Sequence, residues 1–178
     1  TTDEREVVKL VNELITLNEE RKELTEQATN NAIAQIEEMK ALEKPVLVIY
    51  LKDCHESVAG IVAGRIREKY YRPAYVLTDG EKGLKGSGRS IPGYHMQQAL
   101  QNCQELLTEF GGHALAAGFS LPKENLDKFR DTLNEQCNLT DEELVEKISF
   151  DMELELLEAT KNLVEQLHYM EPFGESND

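Results

Sequence analysis

The sequence has no Cys-x-x-Cys pair; Cys54, Cys103 and Cys137 lie far apart and the four histidines are scattered. That spacing argues against a structural zinc site. An odd number of distant thiols fits reduced cysteines in a cytoplasmic protein better than a disulfide framework. Long apolar runs are missing too: the longest, such as residues 46–51, fall far short of the roughly 20 residues that cross a bilayer. No secretory signal opens the chain, because residues 1–5 are polar and acidic with no apolar stretch behind them. The first residue is Thr rather than Met, which fits a piece excised from a longer protein. There is no internal repeat and no low-complexity tract. Bases are scarce, with 19 Lys and Arg against 34 Asp and Glu and a net charge of −15. Taken as a total, that charge speaks against a nucleic-acid partner.

What is present points elsewhere. The 178 residues are 40% hydrophobic, enough to bury a core and to make one ordinary domain with extra elements. The charge is unevenly spread: residues 1–43 carry a net −6, residues 99–178 a net −13, and residues 44–98 a net +4. A basic island in an acidic chain suits a phosphate ligand, since the field next to the ligand matters more than the total. Chance clustering of surface Lys and Arg would look the same. The island's aromatics are Tyr70, Tyr71, Tyr75 and Tyr94, too few for base stacking to dominate.

Apolar periodicity predicts an amphipathic helix over 3–17, with Val7, Leu10, Val11 and Leu14 on its buried face and Thr2 or Asp3 as cap. A second helical stripe, Leu24, Ala28, Ala32, Ile36 and Met39, runs over 19–42; Asn18 is either a break or a point within one long rod of roughly 60 Å. After Pro45, residues 46–51 read as a strand covered on both faces. A helix over 56–70 and a strand over 74–77 complete a βαβ unit. Residues 84–90 read as a glycine-rich strand or strand edge. A helix over 96–110 follows, stopped by Gly111-Gly112 as a C-terminal cap. A short strand over 118–121, a helix bearing Leu126, Phe129 and Leu133, a strand over 148–154 and a last helix near 156–167 finish the chain. The fold class is α/β: a mixed sheet domain with flanking helices, preceded by a long helical arm.

Three stretches carry candidate chemistry. In Gly111-Gly112-His113-Ala114-Leu115-Ala116-Ala117-Gly118, two glycines let a ligand or another backbone approach, exposed amides can bind an anion, and His113 adds a tunable donor. The alternative is a helix cap with a structural histidine. In Lys85-Gly86-Ser87-Gly88-Arg89-Ser90, strand alternation puts Ser87 and Arg89 on one face, where hydroxyl and guanidinium suit phosphate oxygens. The alternative is a flexible edge strand with a solvated Arg89. In the third stretch, residues 55–65, Gly60 and Gly64 favour close helix–sheet packing. His55 and Glu56 either cap that helix or line a site. The helix over 96–110 would run back along the sheet and bring Ser87, Arg89 and His113 into one concave site.

His55-Glu56-Ser57-Val58-x-Gly60-Ile61-Val62-Ala63-Gly64-Arg65, then Tyr70-Tyr71-Arg72-Pro73, Gly86-Ser87-Gly88-Arg89-Ser90 and Gly111-Gly112-His113-x-x-Ala116-Ala117-Gly118, in that order, resemble the DHH-associated domain of the RecJ exonucleases. The resemblance covers about residues 44–137. Residues 17–22 resemble the helix that joins the catalytic DHH domain to this one, and residues 170–174 resemble the start of the family's OB-fold domain. Ser57 stands where the family often has glycine, and residues 175–178 depart from its usual continuation.

The resemblance implies a helical connector over 1–43, a nucleic-acid-binding domain over 44–137, and over 138–178 a linker with the truncated start of an OB-fold domain. It implies DNA-phosphate contacts by Ser87, Arg89, Gly111, Gly112 and His113, with His55, Arg65, Lys85 and Ser90 as further candidates. The parent activity would be five-prime to three-prime hydrolysis of single-stranded DNA in repair and recombination, with single-strand-binding protein as a second partner. No metal or cofactor is expected in this chain. The Asp-rich and Asp-His-His motifs that hold Mn or Mg in the family are absent from it, so the chain alone should be catalytically silent. Two rivals stay open: a DHH-family phosphodiesterase acting on oligonucleotides or cyclic dinucleotides, and an acidic protein-interaction module with no nucleic-acid role.

Overall fold

A computed structural model describes residues 4–148, 150 and 153–174. Thr2 and Asp3, residues 175–178, and Ser149, Asp151 and Met152 of the expected strand over 148–154 lie outside these. Residues 1–146 make one compact unit and residues 147–178 a second.

The first unit opens with α1 (Glu4–Glu38), one helix of 35 residues and about 52 Å. It runs unbroken through Asn18, whose Oδ1 accepts a hydrogen bond from Arg21 Nη2 at 2.9 Å. Only its second half is packed: Thr25, Ala28, Ala32 and Ile36 are buried against α2 (Glu56–Tyr70) and β1 (Leu47–Tyr50). The stripe expected to be buried in the first half, Val7, Leu10, Val11 and Leu14, is 40–66% exposed. Periodicity marks a face that can be buried, and here no core cluster reaches it. Leu24 and Met39, read as part of the second stripe, are also half-exposed.

The sheet has five strands in the order β1-β2-β3-β5-β4, where β2 is Ala74–Gly80, β3 Gly83–Arg89, β4 Glu109–Gly112 and β5 Ala116–Leu121. β1 and β2 are parallel, as a βαβ unit requires, and the other pairs are antiparallel. The β2 strand extends three residues beyond the expected end, so the turn to β3 falls after Gly80. β3 is the middle strand of the sheet and not an edge.

Alternation along the strands feeds two cores. Leu47, Ile49, Ala74 and Val76 face α1 and α2. Val48, Tyr75, Leu77, Leu84, Phe119 and Leu121 face α3 (Met96–Asn102) and α4 (Leu126–Glu135). On this second side the rings of Tyr75, Phe119 and Phe129 are mutually packed with centroids 5.1–5.8 Å apart, pinning α4 to the sheet. A Cβ at Gly86 would run into the Phe119 ring, and one at Gly88 into the Met96 sulfur.

The helix expected over 96–110 is the main correction. α3 stops at Asn102, a 3-10 turn covers Gln104–Leu106, and residues 109–112 form the edge strand β4. Leu106 and Phe110 keep their apolar role, but the backbone from Thr108 onward pairs with β5, beginning with Thr108 N–H to Ser120 O at 2.8 Å. Strand pairing outcompetes local helix preference where Gly111 and Gly112 contribute least to a helix. Gly111-Gly112 is therefore no helix cap.

In the second unit, Thr160 caps α5 (Lys161–Leu167), its Oγ1 accepting from Leu163 N–H at 3.2 Å. The described residues of 148–154 are not in a strand.

Candidate nucleic-acid interface

α2 packs on β2 and β3; beyond it the sheet face over β5 and β4 is open, with Gly111 and Gly118 exposed, and register arranges the face in three rows. One row is Lys85, Ser120 and Glu109; the next is Ser87, Gly118 and Gly111. The third begins with Arg89 and Ala116, whose carbonyl accepts from His113 N–H at 2.8 Å. Strand spacing puts the outer members of a row about 10 Å apart.

The middle row has no side chain after Ser87. A Cβ on Gly111 would meet nothing within 4 Å, and one on Gly118 only the Gly86 carbonyl oxygen at 4.0 Å. The result is an open trough of about 510 Å³, floored by these glycines and walled by Glu56, Ser57 and Ala59 of α2. The glycines on β3 serve a different purpose from those on β4 and β5. Gly86 and Gly88 point to the opposite core, whereas Ser87 and Arg89 point to the trough side.

Arg89 lies along α2. Its Nη1 donates to the Gly88 carbonyl at 2.8 Å, and a Cβ on Gly60 would come within 2.9 Å of its Nη2 and 3.4 Å of Ser87 Oγ. Gly60 thus makes room for the polar pair, a role closer to the site than the helix–sheet packing expected of it. Gly64 has open space.

Lys85 forms an ion pair with Glu56 at 2.7 Å. That contact holds the Glu56 carboxyl below its usual range and raises the Lys85 ammonium above its own, with Glu109 adding to the latter. His55 is exposed and caps α2: its Nδ1 accepts from Ser57 N–H at 3.2 Å, and the Ser57 hydroxyl lies 2.7 Å from the same nitrogen.

His113 sits in the turn from β4 to β5, exposed, with Nδ1 accepting from Leu115 N–H at 3.3 Å. Gly112 starts that turn with φ +149°, and a Cβ there would strike the Ala116 carbonyl and Ala117. Register therefore brings Arg89 and His113 into one row, but Ser87 and Gly111 line the trough itself. Arg65 is exposed on α2 outside it.

Ser90 does not belong with these residues. It is buried, its Oγ donates to the Tyr94 carbonyl at 2.7 Å, and its N–H bonds the Leu115 carbonyl. One step along the strand from Arg89 puts it on the core side. Tyr75 and Tyr94 are likewise spent in the core, their hydroxyls 3.2 Å apart.

Glu109, Gly118 and Ser120 were missed as site residues, and Glu56, left open between capping the helix and lining a site, lines it. The signal for two of them was legible: in β5, small Ala116, Gly118 and Ser120 alternate with apolar Ala117, Phe119 and Leu121. Glu56 and Glu109 reach the trough through packing of separate elements. Among the described residues no three His, Cys, Asp or Glu side chains are grouped to hold a metal ion. None of the described helices is long and apolar enough to cross a membrane.

Residues 43–139 match the DHHA1 domain family. The chain is 34% identical over 179 residues to the single-stranded-DNA-specific exonuclease RecJ of Bacillus subtilis, covering 98% of this chain and 23% of that protein. It is 37% identical over 134 residues to RecJ of Escherichia coli, covering 71% of this chain and 23% of that one. In the crystal structure of RecJ in complex with Mg2+ from Thermus thermophilus, the similar region superposes with a TM-score of 0.83 at 29% identity, covering 99% of this chain and 27% of that one. The chain thus spans about a quarter of the length of these relatives.

Proposed function

The chain belongs to the DHHA1 domain family, and on that premise we propose that it is the strand-gripping part of a single-strand-specific DNA exonuclease. The observation that carries this reading is the trough: a bare glycine floor continuing the row of Ser87, with Arg89 next along the same strand face, built by three stretches from distant parts of the chain. A hydroxyl and a guanidinium on one strand face suit phosphate oxygens. The open floor suits an unpaired strand, which is thin enough to lie on a sheet.

Hydrolysis belongs in this reading to the longer protein. Divalent metal, Mg or Mn, would be held by residues outside this chain, and the trough would form one wall of a cleft facing them. The connector over 1–43, the binding domain over 44–137 and the following segment over 138–178 fit that division. Ser87, Arg89, Gly111, Gly112 and His113 are the contacts we assign, with Lys85 at the margin and His55 acting through its cap on α2. Five-prime to three-prime polarity, a place in repair and recombination, cytoplasmic location and docking of single-strand-binding protein go with the same reading. The rival acidic-module reading leaves the glycine floor without a purpose.

The test is a titration of labelled single-stranded DNA at low salt against the parent chain, Arg89→Ala and Gly118→Val. Arg89→Ala should weaken binding about tenfold or more, since a charge-assisted hydrogen bond is worth roughly 1.5–3 kcal/mol. Gly118→Val keeps the fold, because only one atom lies as near as 4.0 Å, yet fills the floor and should weaken binding comparably. Equal binding by all three proteins overturns the reading.

A further inference from the structure

The trough does not end at Lys85. A second hollow of about 760 Å³ adjoins it on the far side, bounded by His55, Gly80, Lys82, Gly83 and Thr108. Both hollows are lined by Glu56, Lys85, Glu109 and Ser120, so the 2.7 Å Glu56–Lys85 ion pair lies where the two meet, between α2 and β3.

Lys85, Ser87 and Arg89 occupy alternate positions on one strand face, at steps of roughly 6.8 Å. Ser87 is uncharged and Arg89 makes no ion pair among the described contacts, whereas Lys85 is held by a carboxylate. Building on the strand-binding reading above, we propose that Glu56 is a latch on a second phosphate site: a nucleic-acid phosphate reaches Lys85 only by displacing the Glu56 carboxylate. The trough then has one open anion position, at Ser87 and Arg89, and one conditional position, at Lys85.

Three features support this. The pair bridges two separate elements, the first turn of α2 and the middle strand, so opening it disturbs no backbone pairing. Both side chains are about half exposed, 55% for Lys85 and 50% for Glu56, and exposed pairs of this kind are weak enough for a ligand phosphate to compete. Glu109 and Glu81 also act on Lys85 electrostatically, which gives the conditional site a standing bias against anions. A ligand with a single phosphate is held at the open position, Ser87 and Arg89, and has no second phosphate to compete for Lys85. The latch therefore separates a strand with consecutive phosphates from a single nucleotide.

The experiment compares the parent chain, Glu56→Gln, Lys85→Gln, the double variant and the charge control Glu68→Gln, each titrated with a labelled single-stranded octanucleotide and with a mononucleotide. Glu68 carries the same charge change on α2 but pairs with Arg67 at 3.2 Å, away from the trough. Glu56→Gln should bind the octanucleotide about threefold to fivefold tighter than the parent. Its log-affinity against log-salt slope should steepen by about 0.7, the contribution of one single-strand phosphate. Both effects should vanish in the Lys85→Gln background and be absent for the mononucleotide. A gain matched by Glu68→Gln, or one that survives loss of Lys85, overturns the latch. So does unchanged or weaker binding by a Glu56→Gln protein whose melting temperature matches the parent's. If Arg89→Ala weakens binding while Glu56→Gln and Lys85→Gln change nothing, the latch fails and the strand-binding reading stands. If no variant binds, both fall together.

Discussion

A Cβ placed on Gly60 of α2 would lie 2.9 Å from Nη2 of Arg89, so the pose of this guanidinium depends on a hydrogen where any other residue has carbon. The neighbour is the far end of a flexible side chain, which can move away. Gly60→Ala should therefore fold, and gain up to about 1 kcal/mol from helix propensity. It should bind single-stranded DNA more weakly than the parent because Arg89 is displaced. Chemical denaturation and a binding titration on the same preparation check this opposition. Weaker binding accompanied by lower stability would instead point to damaged packing.

The two halves of α1 should answer mutation differently. Ile36 is fully buried between the helix and the sheet, and Ile36→Ala should cost about 2–5 kcal/mol. Leu14 is 66% exposed, and Leu14→Glu should change the stability of this chain by no more than about 0.5 kcal/mol. Urea titrations of the two variants decide it. A large loss for Leu14→Glu would mean that the first half of α1 is covered in solution.

Alkali should loosen the second core before it harms the trough. Burial pushes the Cys103 thiol up to about 11 and raises the Tyr94 and Tyr75 hydroxyls as well. Each group is neutral in the folded chain and loses its proton earlier when unfolded. The unfolded state therefore binds fewer protons above about pH 9, and stability falls as pH rises toward 11. Urea midpoints at pH 7, 9 and 10 should decline, and Cys103→Ala should flatten part of that decline. A midpoint that holds constant to pH 10 would contradict the burial of these groups.

Much of the fold was legible because local chemistry and tertiary structure agree there. The helix Glu56–Tyr70 has both its ends where the sequence places them, since His55 caps one end and Pro73 forbids continuation past the other. The run 46–51 yields a strand buried on both faces. Where they disagree, pairing wins: Leu106 and Phe110 continue the period of α3, yet their backbone turns and joins β5 because a sheet partner is within reach.

By itself the sequence determined the motifs, their order and the alternation that separates Ser87 and Arg89 from Gly86 and Gly88. Those properties are written in residue type and spacing. Only tertiary structure decided that β3 lies in the middle of the sheet, that Gly111 and Gly118 line up with Ser87 as a bare floor, that Ser90 is spent on a core carbonyl, and that Glu56 holds Lys85. Each depends on which strands and helices meet, and Ser87 and Gly111 lie 24 positions apart in a sequence that does not state that β5 will pair between them. The exposed stripe on α1 has the same cause. A period of 3.6 residues says which face of a helix can be buried, and the arrival of a partner determines whether it is.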